Sequence, residues 1–261
     1  PPPLRYFQPN QSPPPLGAAM SDLKTYVAWD RSVRAFHWIN LLCMIGLIAV
    51  GVAILNDKAL GVTNEGKILL KSVHASIGYA FALNLLWRLV WAFIGGPRAR
   101  WRAILPGGRG YLGEVRSYVS GFGAGRPRQY LGHNPLGRLA VALLLLLLLN
   151  QAVSGLVLAG TDLFWPPLGG WIAGWVAAAG VDATTLVPYA PEMYDAAAFE
   201  AMRAFRKPFI TAHEYGFYAL LVFAALHILA VVVTEVREGG GLVSAMITGR
   251  KVLSGPPADQ N

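Results

Sequence analysis

Four runs of about twenty apolar residues dominate the pattern along the 261-residue chain. They are FHWINLLCMIGLIAVGVAIL (36–55), SVHASIGYAFALNLLWRLVWAFIG (72–95), LAVALLLLLLLNQAVSGLVLAG (139–160) and AHEYGFYALLVFAALHILAVVVTEV (212–236). As a helix rising 1.5 Å per residue, each is long enough to cross the roughly 30 Å hydrocarbon layer of a bilayer. None alternates polar and apolar positions, and a closed barrel needs many more segments, so strands do not account for them. The pattern predicts an all-α integral membrane protein, a four-helix transmembrane bundle. A fifth apolar stretch, FWPPLGGWIAGWVAAAG (164–180), is interrupted by Pro and Gly and reads as an interfacial or loop helix. A short surface helix is expected around GEVRSYVSGF (113–122).

Composition sharpens this picture. Hydrophobic residues make up 54% of the chain and charged residues 14%, against about a quarter charged in soluble domains. The net charge of +8 raises the question of nucleic acid, and the placement of the charges answers it. Between Pro97 and Arg138 stand eight arginines against Glu114 alone, whereas segment 161–210 holds five acids and three bases. By the positive-inside rule the arginine loop is cytoplasmic, and with four spans both termini are cytoplasmic too. The basic excess is then a topology and anionic-lipid signal, with no nucleic-acid motif behind it. The Pro-rich residues 1–25 read as an extended tail without signal-peptide character, 26–251 as the folded domain and 252–261 as a second tail. The single cysteine, Cys43, excludes an intrachain disulfide and a Cys-rich metal site and reads as a small buried hydrophobe. No Cys-x-x-Cys-His occurs, which excludes covalent c-type haem attachment.

The chemistry lies in the histidines. His213 and His227 are fourteen residues apart, nearly four helical turns, so they share one face about 21 Å apart along the axis. The alternating direction of the spans gives His37 the depth of His227, and His74 the depth of His213. Imidazoles are costly in a membrane unless their nitrogens are used. Zinc wants three or four ligands, and a proton relay wants acids in series. Two histidines from different helices with nothing else beside them match the axial ligation of a b haem. Four interfacial histidines bonded to backbone is the plainer alternative. Arg88 lies fourteen residues after His74, at the inner depth, where a haem propionate or a route to the aqueous surface would satisfy it. Gly51 lies fourteen after His37, at the outer depth; with Gly78 and Gly216 it would let a flat macrocycle approach the backbone, although small residues also serve plain helix packing. Asn84, Asn150 and Gln151 are read as interhelical bridges, with a quinone contact as the lesser use. His133 is read as a turn or helix-entry residue.

At this point the chain resembles the bacterial di-haem cytochrome b561 superfamily, which includes cytochrome b subunits of nickel–iron hydrogenases. The resemblance rests on WDRSVRAFHW (29–38), VHASIGYAFALNLLWRLVW (73–91), GHNPLGRLAVALLLLLLLNQAVSG (132–155), HEYGFYALLVFAALH (213–227) and LVSAMITGRK (242–251). It implies two haem b groups, an inner one on His37 and His227 and an outer one on His74 and His213. Arg34, Lys71 and Arg88 become candidate propionate partners. It also implies a multi-pass protein of the bacterial inner membrane. Such a protein passes electrons between a periplasmic partner, a cytochrome c or a dehydrogenase or hydrogenase subunit, and membrane quinone. A homodimer is compatible with these features. Two other classes fit the same helices: a stand-alone oxidoreductase such as a superoxide:quinone oxidoreductase, and a non-redox membrane anchor or transporter.

Overall fold

The structure is a computed structural model and describes residues 23–125 and 128–259. The greater part of the Pro-rich tail, Arg126 of the arginine loop and the last two residues lie outside the described residues. A short strand β1 (Lys24–Val27) precedes helix α1 (Arg31–Leu55), which is followed by α2 (Asn64–Ile94). The arginine-rich segment forms α3 (Trp101–Ile104) and α4 (Tyr111–Gly123), and α5 (Pro135–Leu163) follows. A short helix α6 (Gly169–Val176) lies before the long α7 (Ala196–Glu238), and the chain closes with α8 (Leu242–Thr248) and strand β2 (Arg250–Leu253). Helices α1, α2, α5 and α7 are the four long and apolar enough to span a membrane.

All four spanning helices begin earlier than the apolar runs, and a side-chain cap marks each start. Asp30 accepts from the Val33 amide (2.8 Å), Thr63 from Gly66 (3.2 Å), Asn134 from Gly137 (2.7 Å) and Asp195 from Ala198 (2.8 Å). Pro135 follows Asn134 at the first helical position, where its missing N–H costs nothing. The largest departure is α7, whose 43 residues extend to about 65 Å, twice the hydrocarbon thickness. Its first turns are too polar for lipid and carry Pro208, so hydropathy registers only the part from Ala212 onward. Those turns pack instead against α6, where Ile172, Val176, Tyr194 and Met202 form a small core with Phe199 and Phe205 at its edge.

The helices run antiparallel in sequence order. Asn84 Nδ2 donates to the Phe36 carbonyl (3.0 Å), Trp87 Nε1 to Ser32 (2.6 Å) and Trp91 Nε1 to Asp30 (3.0 Å), tying α2 to α1. Asn150 and Gln151 donate to the carbonyls of Ala212 and His213, both at 2.9 Å, tying α5 to α7. The three mid-membrane amides are therefore helix-to-helix bridges. The bundle core forms around Phe81, Leu85, Leu148 and Leu220, with the half-buried Cys43 packed against it. Leu42, Leu83, Phe93 and Ile228 point outward, as they must when the surrounding solvent is lipid.

One end of the bundle carries a clasp that the apolar pattern does not announce. β1 and β2 pair antiparallel, Lys24 opposite Leu253 and Val27 opposite Arg250, so both terminal segments lie at the same end. Residues 24–25 and 252–259, assigned to tails above, are thus part of the folded body. The amides of Ala28 and Trp29 donate to the Gly249 carbonyl (2.8 and 3.1 Å). Gly249 has φ +81, and a Cβ there would stand 2.8 Å from the Trp29 oxygen, so this turn admits glycine alone. Lys251 is buried and donates to the carbonyls of Tyr130 (3.0 Å) and Gly132 (3.1 Å). The Asp259 carboxylate accepts from the amides of Leu131 and Gly132 (2.7 Å each). The C-terminal segment thereby straps down the loop leading into α5.

Candidate functional site

The outer histidines meet. His74 on α2 and His213 on α7 stand with ring centroids 6.2 Å apart and planes inclined at 73°. Both border a cavity of about 560 Å³ between the four helices, walled by Met44, Leu47, Phe81 and Phe217 and reached by Lys71 and Gly78. A Cβ on Gly78 would meet nothing within 4 Å, so α2 leaves open space on this side.

Each imidazole has a glycine of the neighbouring helix behind it. A Cβ on Gly51 of α1 would lie 3.4 Å from His74 Cε1, and one on Gly155 of α5 would lie 3.3 Å from His213 Cε1. Gly51 thus makes room for a histidine. Gly216, expected to face the same group, instead faces α5: its Cβ would fall 2.3 Å from Asn150 Nδ2 and 2.5 Å from Gln151 Nε2. It is the gap through which the two bridging amides reach α7.

Lys71 reaches the cavity but has a protein partner. Its ammonium lies 2.7 Å from Asp162, whose carboxylate also accepts from Arg206 at 2.5 and 2.9 Å. The sequence pattern does not single out Asp162, Arg206, Ser154 or Gly155. The apolar run ends at Gly160, so Asp162 reads as a loop acid, and the one available signal is that Ser154 and Gly155 follow Asn150 and Gln151 by one helical turn.

At the other end of the bundle, α1 carries His37 and α7 carries His227. Among the described residues, the buried Nδ1 atoms of His37 and His74 have no hydrogen-bond partner. Arg88 is 5% exposed. It donates to the Ala99 carbonyl (3.2 Å) with its guanidinium above the Phe36 ring, so the chain's own backbone takes one of its donors. Arg34 donates to the Ile247 carbonyl of α8, while its Nε is buried without a partner. His133 is more than a turn residue. Its ring packs on Trp29 at 4.8 Å, and burial pushes its imidazole down to about 3, with Lys251, Arg88 and His227 acting in the same sense.

The donor set suits a haem. No cluster of three or more His, Cys, Asp or Glu occurs among the described residues, so the protein alone offers an ion no cage. Two imidazoles leave four positions, and a porphyrin fills four. A metal–imidazole bond is about 2 Å long, so two such bonds plus the half-widths of two rings come to about 6 Å, the separation seen between His74 and His213.

Comparison with known proteins points the same way. The family model for prokaryotic cytochrome b561 matches residues 28–249. The chain is 26% identical over 252 residues to a "Probable Ni/Fe-hydrogenase B-type cytochrome subunit" of Rhizobium leguminosarum bv. viciae, covering 91% of this chain and 93% of that one. A protein of the same description from Cupriavidus necator is 25% identical over 250 residues, covering 90% and 91%. The Escherichia coli K12 "Probable Ni/Fe-hydrogenase 1 B-type cytochrome subunit" is 32% identical over 145 residues, covering 51% and 60%. No solved structure matches. Four apolar spans, facing histidines on different helices and a match over most of its length make this chain a member of the prokaryotic cytochrome b561 family, a multi-pass b-type cytochrome of the bacterial cytoplasmic membrane.

Proposed function

We propose that the protein carries two b haems and conducts electrons across the membrane between a hydrogenase-like or cytochrome c partner on the periplasmic side and the quinone pool. The observation that carries this reading is the pair His74 and His213, 6.2 Å apart; His227, fourteen residues beyond His213 on α7, and His37 on α1 are assigned to the second site by the depth argument. The two sites are separated by about 21 Å along α7, which spreads them over most of a bilayer.

When bound, a haem supplies reversible one-electron chemistry. The chain's own part is to hold and shield it. His74 and His213 would grip the outer group, and His37 and His227 the inner one. The apolar walls exclude water, and Lys71 and Arg206 place two cations against one carboxylate at the outer cavity, leaving a single positive charge to offset a propionate. Arg34 and Arg88 are the corresponding cations for the inner group. The arginine-rich loop, with the clasp beside it, faces the cytoplasm by the positive-inside rule. The α6 region and the projecting start of α7 then face the periplasm, where a partner would dock. The names of the relatives support a hydrogenase as that partner.

The test is a haem count with a reduced-minus-oxidised visible spectrum of the purified protein. Two b haems per chain are expected, with His227→Ala and His213→Ala each losing one and keeping the other. A parent protein without haem would overturn the reading and favour a non-redox membrane anchor, and both haems persisting in either variant would overturn the ligand assignment. Ferrous protein mixed with a soluble quinone should reoxidise; failure to do so would remove quinone from the proposal.

A further inference from the structure

Ser154 is a buried polar side chain in the bundle that ligation leaves unused. It is 2% exposed. Its hydroxyl lies 2.9 Å from His213 Nδ1, 2.5 Å from the Asn150 carbonyl one turn back, and 3.4 Å from the Gln151 carbonyl. A hydroxyl has one proton to give and two lone pairs to receive with. Carbonyl oxygens only accept, so the proton goes to a carbonyl, and the shorter contact selects Asn150. The remaining contact must run the other way, with His213 Nδ1–H donating to Ser154 Oγ. That assigns the tautomer: the proton is on Nδ1 and the lone pair on Nε2, the arrangement a metal ligand needs.

The rest of the local structure removes slack from this bond. The His213 carbonyl is held by Gln151 Nε2 at 2.9 Å, and the ring edge lies close enough to Gly155 that even a methyl there would crowd it. His74, across the cavity, has no equivalent. Its buried Nδ1 lacks a hydrogen-bond partner among the described residues. The outer pair is therefore asymmetric, with one imidazole anchored through Nδ1 and one not.

We propose that Ser154 is a positioning residue that fixes the Nδ1-protonated tautomer of His213 and, through that bond, lowers the reduction potential of the outer haem. This rests on the haem reading above. An imidazole that donates from Nδ1 is a more basic ligand and favours the ferric state.

The experiment compares Ser154→Ala and Ser154→Thr in the full-length, haem-loaded protein by spectroelectrochemical titration, with the outer transition assigned in a His227→Ala background. The outer midpoint should move to more positive potential in Ser154→Ala, return toward the parent in Ser154→Thr, and leave the inner midpoint unmoved. Parental potentials in Ser154→Ala, or the same displacement in both variants, would overturn the proposal. Should Ser154→Ala lose the outer haem, its retention in Ser154→Thr supports the hydroxyl's role, and its loss in both overturns it. The bond is also read without haem, from imidazole nitrogen-15 shifts of His213. The Nδ1-protonated form should dominate in the parent and give way to a tautomer mixture in Ser154→Ala; an unchanged tautomer would refute the assignment. A parent that binds no haem fails the functional reading while leaving this last measurement intact.

Discussion

Replacing Gly216 with alanine adds one methyl group at the tightest approach between α5 and α7. The new Cβ would stand 2.3 Å from Asn150 Nδ2 and 2.5 Å from Gln151 Nε2, distances no carbon–nitrogen contact tolerates. The amides must withdraw, and with them go the bonds to the carbonyls of Ala212 and His213. Overpacking of a well-filled interior costs about 1–3 kcal/mol, and two interhelical hydrogen bonds in a membrane add about 0.6 kcal/mol each. Alanine's better helix propensity returns about 0.8–1 kcal/mol. The net destabilisation is then about 2 kcal/mol. Unfolding in mixed micelles of a mild detergent with increasing SDS, followed by tryptophan fluorescence, measures it. Gly113→Ala is the control: it lies on α4, away from this seam and from the cavity, and its Cβ meets nothing within 4 Å, so propensity alone should stabilise it by about 0.5–1 kcal/mol. The two variants should move in opposite directions. If Gly216→Ala unfolds within about 0.5 kcal/mol of the parent, a change ordinary for an uninvolved site, the proposed packing at this seam is wrong.

Other consequences can be measured in the same system. Asp162→Asn leaves Lys71 and Arg206 facing each other without their shared carboxylate. With side chains about a quarter exposed this should cost about 2–3 kcal/mol, below the range for a fully buried pair. Adding Lys71→Met should recover part of that loss, and no recovery would show that charge is not the cause. His133 gives the stability curve an acid limb. Its imidazole titrates near 3 in the folded protein and near 6.5 when unfolded, so only the unfolded chain binds the proton between those values. Its contribution is complete above about pH 6.5 and declines as pH falls toward 3, by up to about 1.4 kcal/mol per pH unit. His133→Gln should flatten that limb between pH 6.5 and 4, and an unaltered slope would place the acid sensitivity elsewhere.

Hydropathy located the four spans, and periodicity with the alternating direction of the spans set His74 and His213 at one depth, where their rings meet, because both signals are local and regular. The same methods misjudged helix ends. The start of α7 at Ala196 lies beyond the lipid-facing segment, where stability comes from Met202 and Phe205 packing on α6 and not from apolar density. The β1–β2 pairing joins residues more than two hundred positions apart through strands of four residues each, too short to show alternation. The glycines show the limit most directly. Gly51, Gly78 and Gly216 look alike in sequence, yet one backs an imidazole, one opens on the cavity and one admits two amides. Which neighbour a missing Cβ accommodates depends on the rotation of the facing helix, and no single-chain periodicity carries that.

The clasp between β1 and β2 also bears on the order of synthesis. It joins segments on either side of all four spans, and each proposed ligand pair takes one member from α7, the last of the four to leave the ribosome. A nascent chain holding only α1, α2 and α5 exposes His37 and His74 without their counterparts. Under the proposed ligand assignment neither site is complete until α7 inserts, and β2 can pair with β1 only afterwards. A chain interrupted after α5 is then expected to hold neither haem in place of half the set.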